Sequence, residues 1–209
     1  MKTLAALVFC VIAPLALSQP PVPTTPTSQP GVAKPPMSQP APPEYVRLLT
    51  ATMDGMAVAL PGNHSGKLVL VHVWATWCPS CAREVPFWKE AYTRFHDRGV
   101  EFLGIPTDKN RGTPEDRVRA GVQRHGLTWP QVYEDGPSLS LELGADTIPM
   151  SFLVDGDTGE VFFKGNVVRK KNLAKRIEES LLLKAQRDAR RKTAATSRRA
   201  NPPPSRQPR

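Results

Sequence analysis

The sequence predicts an α/β fold: a mixed central sheet flanked by helices, with a β-hairpin in front of it. Two apolar runs of strand length, Leu68 to Trp74 and Val100 to Ile105, are each followed by a segment of helical period. Further on, two β-patterned runs, Met150 to Val154 and Glu160 to Lys164, flank the turn-rich Asp155-Gly156-Asp157-Thr158-Gly159. Strand-helix alternation calls for parallel pairing and the hairpin for antiparallel pairing, so the sheet is mixed, with helices on both faces.

The chain begins with a short basic start, Met1-Lys2, an apolar stretch from Leu4 to Leu17, and small residues around Ala16 and Ser18. Residues 1–18 thus have the form of a secretory signal, and the apolar stretch is short for a membrane span. Cleavage is expected, retention as an N-terminal anchor being the alternative. Residues 18–43 hold ten prolines, so 19–43 read as a linker that could span about 80 Å at ~3.1 Å per residue.

Order is expected from residue 44. Tyr45 to Thr50 and Met56 to Leu60 alternate as short strands around Asp54-Gly55. Asn63-His64-Ser65 matches a glycosylation acceptor, a pattern too short to separate from an ordinary loop. After the strand Leu68 to Trp74 a helix is expected from Ser80 to Asp97, with Val85, Trp88, Tyr92 and Phe95 on one face, Pro86 inside it and Gly99 beyond its end. Thr113 reads as an N-cap with Pro114 at the first helical position, starting a helix that Gly126 ends. Trp129 to Tyr133 reads as a short strand, Ser138 to Leu143 as a short helix, and Lys171 to Gln186 as the last helix, with Leu173, Ile177 and Leu181 on its face. The compact domain is thus 44–183, followed by a basic, disordered tail over 184–209.

Charge follows this division. Nearly all of the chain's net +9 resides in the tail, where nine Lys or Arg face Asp188 alone. Residues 35–183 carry 17 basic and 18 acidic groups, so the basicity says nothing about the domain's working face, and no nucleic-acid partner is expected. The tail is either a solvated terminus or a contact to an anionic surface.

Of the three cysteines, Cys10 lies in the leader, which leaves Cys78 and Cys81. A disulfide-stapled secreted domain uses several widely spaced pairs, and a structural zinc site needs four ligands, for which no second C-x-x-C or histidine pair is present. Redox chemistry is the reading left. Cys78 stands where a buried strand turns into a helix, and unpaired N–H groups with the positive helix end favour a thiolate there.

Trp74-Ala75-Thr76-Trp77-Cys78-Pro79-Ser80-Cys81, with Pro86 five residues on and Ile148-Pro149 before an apolar strand, resembles the thioredoxin superfamily. Within it the chain is most similar to the secreted TlpA/ResA group, because of the leading hairpin, Glu84 three residues after Cys81, and a central insert over about Thr107 to Leu143. The resemblance covers residues 44–183 and implies a thioredoxin-like fold.

It further implies that Cys78 attacks a substrate disulfide and that Cys81 resolves the mixed disulfide. Glu84, one turn beyond Cys81, would take the proton that Cys81 loses; the competing reading is a surface glutamate favoured by the helix dipole. A cis Pro149 and Ile148 would form, with Trp77 and Pro79, a groove for an extended substrate segment, whereas Trp74 is expected in the core. His72 stands where thioredoxins keep a buried aspartate, and is read either as a second proton-handling group behind the cysteines or as a core histidine.

No cofactor or metal is expected beyond the Cys78–Cys81 dithiol. The implied activity is reduction of protein disulfides, in apocytochrome c or copper-site proteins, in a secreted or periplasmic setting, with a membrane thiol reductant as partner. The alternatives are an oxidising or isomerising exchanger, and a Cu(I)-binding metallochaperone in which Met150 approaches the thiol pair.

Overall fold

The computed structural model describes residues 44–133, 138–167 and 172–200. The leader and the proline-rich linker lie outside the described residues. The hairpin consists of β1 (Leu48–Ala51) and β2 (Ala57–Leu60), antiparallel, with Leu48 opposite Leu60. Gly55 takes the positive φ of 80° that closes its turn.

The main sheet has the order β4-β3-β5-β6. At its centre β3 (Leu68–Trp74) runs parallel to β4 (Val100–Pro106) and antiparallel to β5 (Met150–Asp155), and β6 (Val161–Gly165) adds the edge. Every residue of β3 is buried, which is why it reads as an unbroken apolar run but for His72. Its alternating side chains feed two cores. Leu68, Leu70 and Trp74 join Trp88, Phe95, Leu173 and Ile177 on one face. Val69, Val71 and Val73 meet Val46, Leu48, Val58, Leu60 and Phe152 on the other.

Helix α1 (Pro79–Phe95) buries Cys81, Glu84, Val85, Trp88, Ala91 and Phe95 at three- and four-residue spacing. Pro86 lies on its exposed side, where water can reach the carbonyl that proline leaves without a donor. A short 3-10 turn and Gly99 at φ 84° end it. Helix α2 (Glu115–His125) starts one residue later than its sequence suggests: Pro114, still extended, is the capping position, and Thr113 makes no capping bond. Gly126 closes it in the left-handed conformation, as expected. Trp129 to Tyr133 does not form a strand. Gln131 alone bridges Gly104 on β4, because Pro130 brings no N–H to a ladder. Helix α3 spans Ser138–Glu142.

The largest departure is α4, which runs from Leu173 to Ala200. Its 28 residues make a rod of about 42 Å at 1.5 Å per residue. Composition suggested disorder from residue 184 onward, yet this stretch is rich in Ala, Arg and Lys, strong helix formers. It is also fastened down as far as Arg191. The Lys184 ammonium, itself buried, contacts Asp155 at 2.7 Å, Asp188 at 3.3 Å and Asp157, and Arg191 reaches Asp155 at 3.0 Å. Arg187 pairs with Glu160. Residues 189–200 are exposed, and among the described residues no helix is long and apolar enough to cross a membrane.

Candidate active site

Beyond β3 the chain turns through Ala75-Thr76-Trp77, and Cys78 becomes the N-cap of α1 with an extended backbone (φ −91°, ψ 107°). Cys78 and Cys81 are joined as a disulfide, their Cα atoms 5.2 Å apart. Two donors point at Cys78 Sγ: the backbone N–H of Cys81 at 3.1 Å and the Ser80 hydroxyl at 3.2 Å. Pro79 holds the first helical position, where a missing N–H costs nothing. A sulfur that receives an N–H and an O–H at a helix start is better solvated as an anion than as a thiol. Ser80 was not singled out from sequence; a hydroxyl two residues after a capping cysteine was the available signal.

The turn before Cys78 is gripped from outside. Both oxygens of the buried Asp108 accept the Thr76 N–H, at 3.2 and 3.0 Å, and Oδ1 also accepts the Thr76 hydroxyl. One residue on, the Arg111 guanidinium lies 3.4 Å from the Trp77 ring centroid. Gly121 of α2 gives room for this turn, since a Cβ there would sit 2.3 Å from Thr76 Cγ2. Asp108, Arg111 and Gly121 are distant in sequence from the cysteines, so only the fold discloses their connection.

Glu84 is fully buried on the same inward face of α1 as Cys81, not on the surface. His72 is enclosed by tryptophans: its ring centroid is 4.4 Å from Trp88 and 5.5 Å from Trp129. The Trp129 indole N–H points at His72 Nε2 at 3.4 Å, which leaves Nδ1 to carry the ring proton, and Nδ1 has no hydrogen-bond partner among the described residues. Burial lowers the His72 pKa from 6.5 to about 3, so the ring is neutral around pH 7.

Ile148-Pro149 is a cis peptide. Because Met150 pairs with Val73 on β3, Pro149 adjoins the end of the strand from which the cysteine turn departs. Ile148 packs on the core cluster that contains both cysteines. Together with Trp77 it lines a cleft of about 350 Å³, whose other walls include Arg111 and Leu141 from the insert and Asp146 just beyond it. Trp77 is 38% exposed and Leu141 62%, so the cleft presents apolar surface to solvent beside the disulfide. Trp74 is buried in the core, as expected, and donates its indole N–H to Gln131.

A family model described as Redoxin matches residues 31–181. The chain belongs to the Redoxin family. This Redoxin chain is 32% identical over 114 residues to the thiol-disulfide oxidoreductase ResA of Bacillus thuringiensis (strain Al Hakam), across 54% of the chain and 63% of that protein. With ResA of Geobacillus thermodenitrificans (strain NG80-2) it shares 34% over 93 residues, 44% of this chain and 51% of the other. It thus spans less than two thirds of the length of these curated relatives. Among solved structures, StoA from Bacillus subtilis is 26% identical with a TM-score of 0.50, over 60% of this chain and 90% of StoA. A thioredoxin-family thiol:disulfide interchange protein from Chlorobium tepidum TLS is 25% identical with a TM-score of 0.50, over 61% and 88%. The fold is thioredoxin-like, of the TlpA/ResA type, with the mixed sheet, flanking helices and leading hairpin expected.

Proposed function

We propose that this Redoxin is an extracytoplasmic thiol-disulfide oxidoreductase that reduces disulfides in protein substrates. The observation that carries this reading is Cys78 Sγ at the start of α1, with the Cys81 N–H and the Ser80 hydroxyl directed at it. In the dithiol form Cys78 is the thiolate. It attacks one sulfur of the substrate disulfide, a mixed disulfide forms, and the other substrate sulfur leaves as a thiolate that takes a proton from solvent. Glu84 then accepts the Cys81 proton. The Cys81 thiolate attacks Cys78 Sγ, the second substrate sulfur departs, and the Cys78–Cys81 disulfide remains. Two electrons have moved from the protein dithiol to the substrate, and a membrane thiol reductant returns them. No cofactor enters these steps.

The substrate segment lies extended along the Ile148 backbone, with Trp77, Pro79 and Pro149 as its rim. Apocytochrome c or copper-site cysteines are the substrate class that the resemblance to ResA suggests. The basic end of α4 is read as a contact to an anionic surface: deleting residues 192–209, which leaves Arg191 on Asp155, should abolish salt-sensitive binding to anionic vesicles, and unchanged binding would remove this part.

The deciding measurement is the equilibrium of the Cys78/Cys81 pair with glutathione. A reduction potential near roughly −270 mV supports a reductant, and one near roughly −120 mV would reverse the direction. Cys78→Ser should abolish reduction of insulin disulfides.

A further inference from the structure

The donors at Cys78 and the positive end of α1 all pull its thiol toward the anion, and a dithiol whose anion is strongly stabilised is an oxidant. The residues between the cysteines carry no charge to oppose this. The fold supplies one from elsewhere. Asp108 follows β4, is fully buried, and bonds through both oxygens to the Thr76 N–H and through Oδ1 to the Thr76 hydroxyl. A carboxyl group that accepts N–H and O–H donors with both oxygens is serving as a carboxylate. Thr107, just before it, ties the same turn to β3, its N–H donating to the Trp74 carbonyl at 2.8 Å. The negative charge is therefore fixed two residues from Cys78, within roughly 10 Å of the sulfur by the reach of the chain, and away from solvent that would screen it.

We infer that Asp108 is a positioning residue that opposes the helix end electrostatically, keeping the Cys78 thiol less acidic and the Cys78–Cys81 pair more reducing than its N-cap geometry alone would make it. This rests on the reading of Cys78 as the attacking thiol. Other charged groups around the turn are placed differently. Arg111 is exposed over Trp77, Asp146 lies across the cleft, and Glu84 faces inward from α1. Behind α1, His72 is neutral. Asp108 hydrogen-bonds the turn itself.

The test is Asp108→Asn in the reduced full-length chain, read by the pH dependence of Cys78 alkylation and by equilibration with glutathione. The neutral amide should raise the thiolate fraction at pH 6 about fivefold, the size expected of one charge at roughly 10 Å between surface-protein and water dielectrics. The glutathione equilibrium should move toward the dithiol by a similar factor. Thr76→Val, which loses the hydroxyl bond and keeps the charge, should stay within about twofold of the parent. Equal shifts in both variants, or none in Asp108→Asn, would overturn the inference.

If Asp108→Asn does not fold, the parent protein still decides. The ¹³C signal of the Asp108 carboxyl should show an inflection at the Cys78 titration in the reduced protein and none in the disulfide form, since coupling is reciprocal. Absence of that inflection overturns the inference as well. Failure of the proposed catalysis looks different: the parent would leave insulin and glutathione disulfides intact whatever the state of Asp108.

Discussion

Lowering the pH from 7 to 5 should cost this protein about 2 kcal/mol of stability through His72 alone. The folded state holds the ring neutral, with a pKa near 3, while the unfolded chain protonates it near 6.5. Between those values the unfolded state binds more protons, so stability is greatest above pH 6.5 and declines as pH falls toward 3. Integrating the two titrations from pH 7 to pH 5 gives about 2 kcal/mol, or about 6 °C in Tm for a domain of this size. His125, whose pKa burial and then Arg124 lower, adds a smaller contribution of the same sign. Asp155 and Asp157 act only below their unfolded value of 3.8 and stay out of this window. The assay is urea unfolding of the disulfide form at pH 7 and pH 5, on the parent and on His72→Leu. The variant keeps His125 and should lose most of the slope. A parent equally stable at both values, or a variant with the parental slope, would refute the assignment of a neutral, tryptophan-enclosed histidine.

Three further outcomes are expected. Glu84→Gln should slow release of the mixed disulfide by about 10²-fold at neutral pH, measured by stopped-flow fluorescence; an unchanged pH profile would remove Glu84 from proton transfer. Gly121→Ala improves helix propensity by about 1 kcal/mol, but its Cβ meets Thr76 Cγ2 at 2.3 Å. Overpacking of about 1–3 kcal/mol should prevail, giving a lower Tm together with altered Cys78 alkylation. Lys184→Met leaves the buried Asp155 short of its nearest cation and should cost about 3 kcal/mol in urea unfolding; a loss below about 0.5 kcal/mol would mean that Arg191 alone suffices.

Elements with a strong period were legible in the sequence: β3 from a seven-residue run apolar but for His72, α1 from Val85, Trp88 and Phe95, and the β5–β6 hairpin from its turn. The cysteine pair at a strand-to-helix junction was legible too, because local geometry follows from adjacent residues. What depends on residues far apart was not. Gln131 looked like part of a strand, yet it fills the notch at Gly104, where a Cβ would meet its Oε1 at 1.8 Å, and serves the Trp74 indole. Asp108 and Arg111 looked like loop polarity, because the sheet register that brings them to Thr76 and Trp77 is not written in their own neighbourhood. The tail was misjudged because charge density was read without its partners, Asp155, Asp157 and Glu160, which lie in and around the hairpin turn.

That last feature redraws where the domain stops. Asp155 has no exposed side-chain surface, and its cations, Lys184 and Arg191, both come after residue 183. Although burial pushes the Asp155 carboxyl up, the hydrogen bonds of Lys184 and Arg191 bring it below its usual range. A chain cut at Leu183, where apolar periodicity gives out, would keep every large core residue and still bury a carboxylate stripped of its counter-ions. The smallest autonomous unit therefore reaches at least Arg191, and its C-terminal limit is set by charge neutrality and not by hydrophobic pattern.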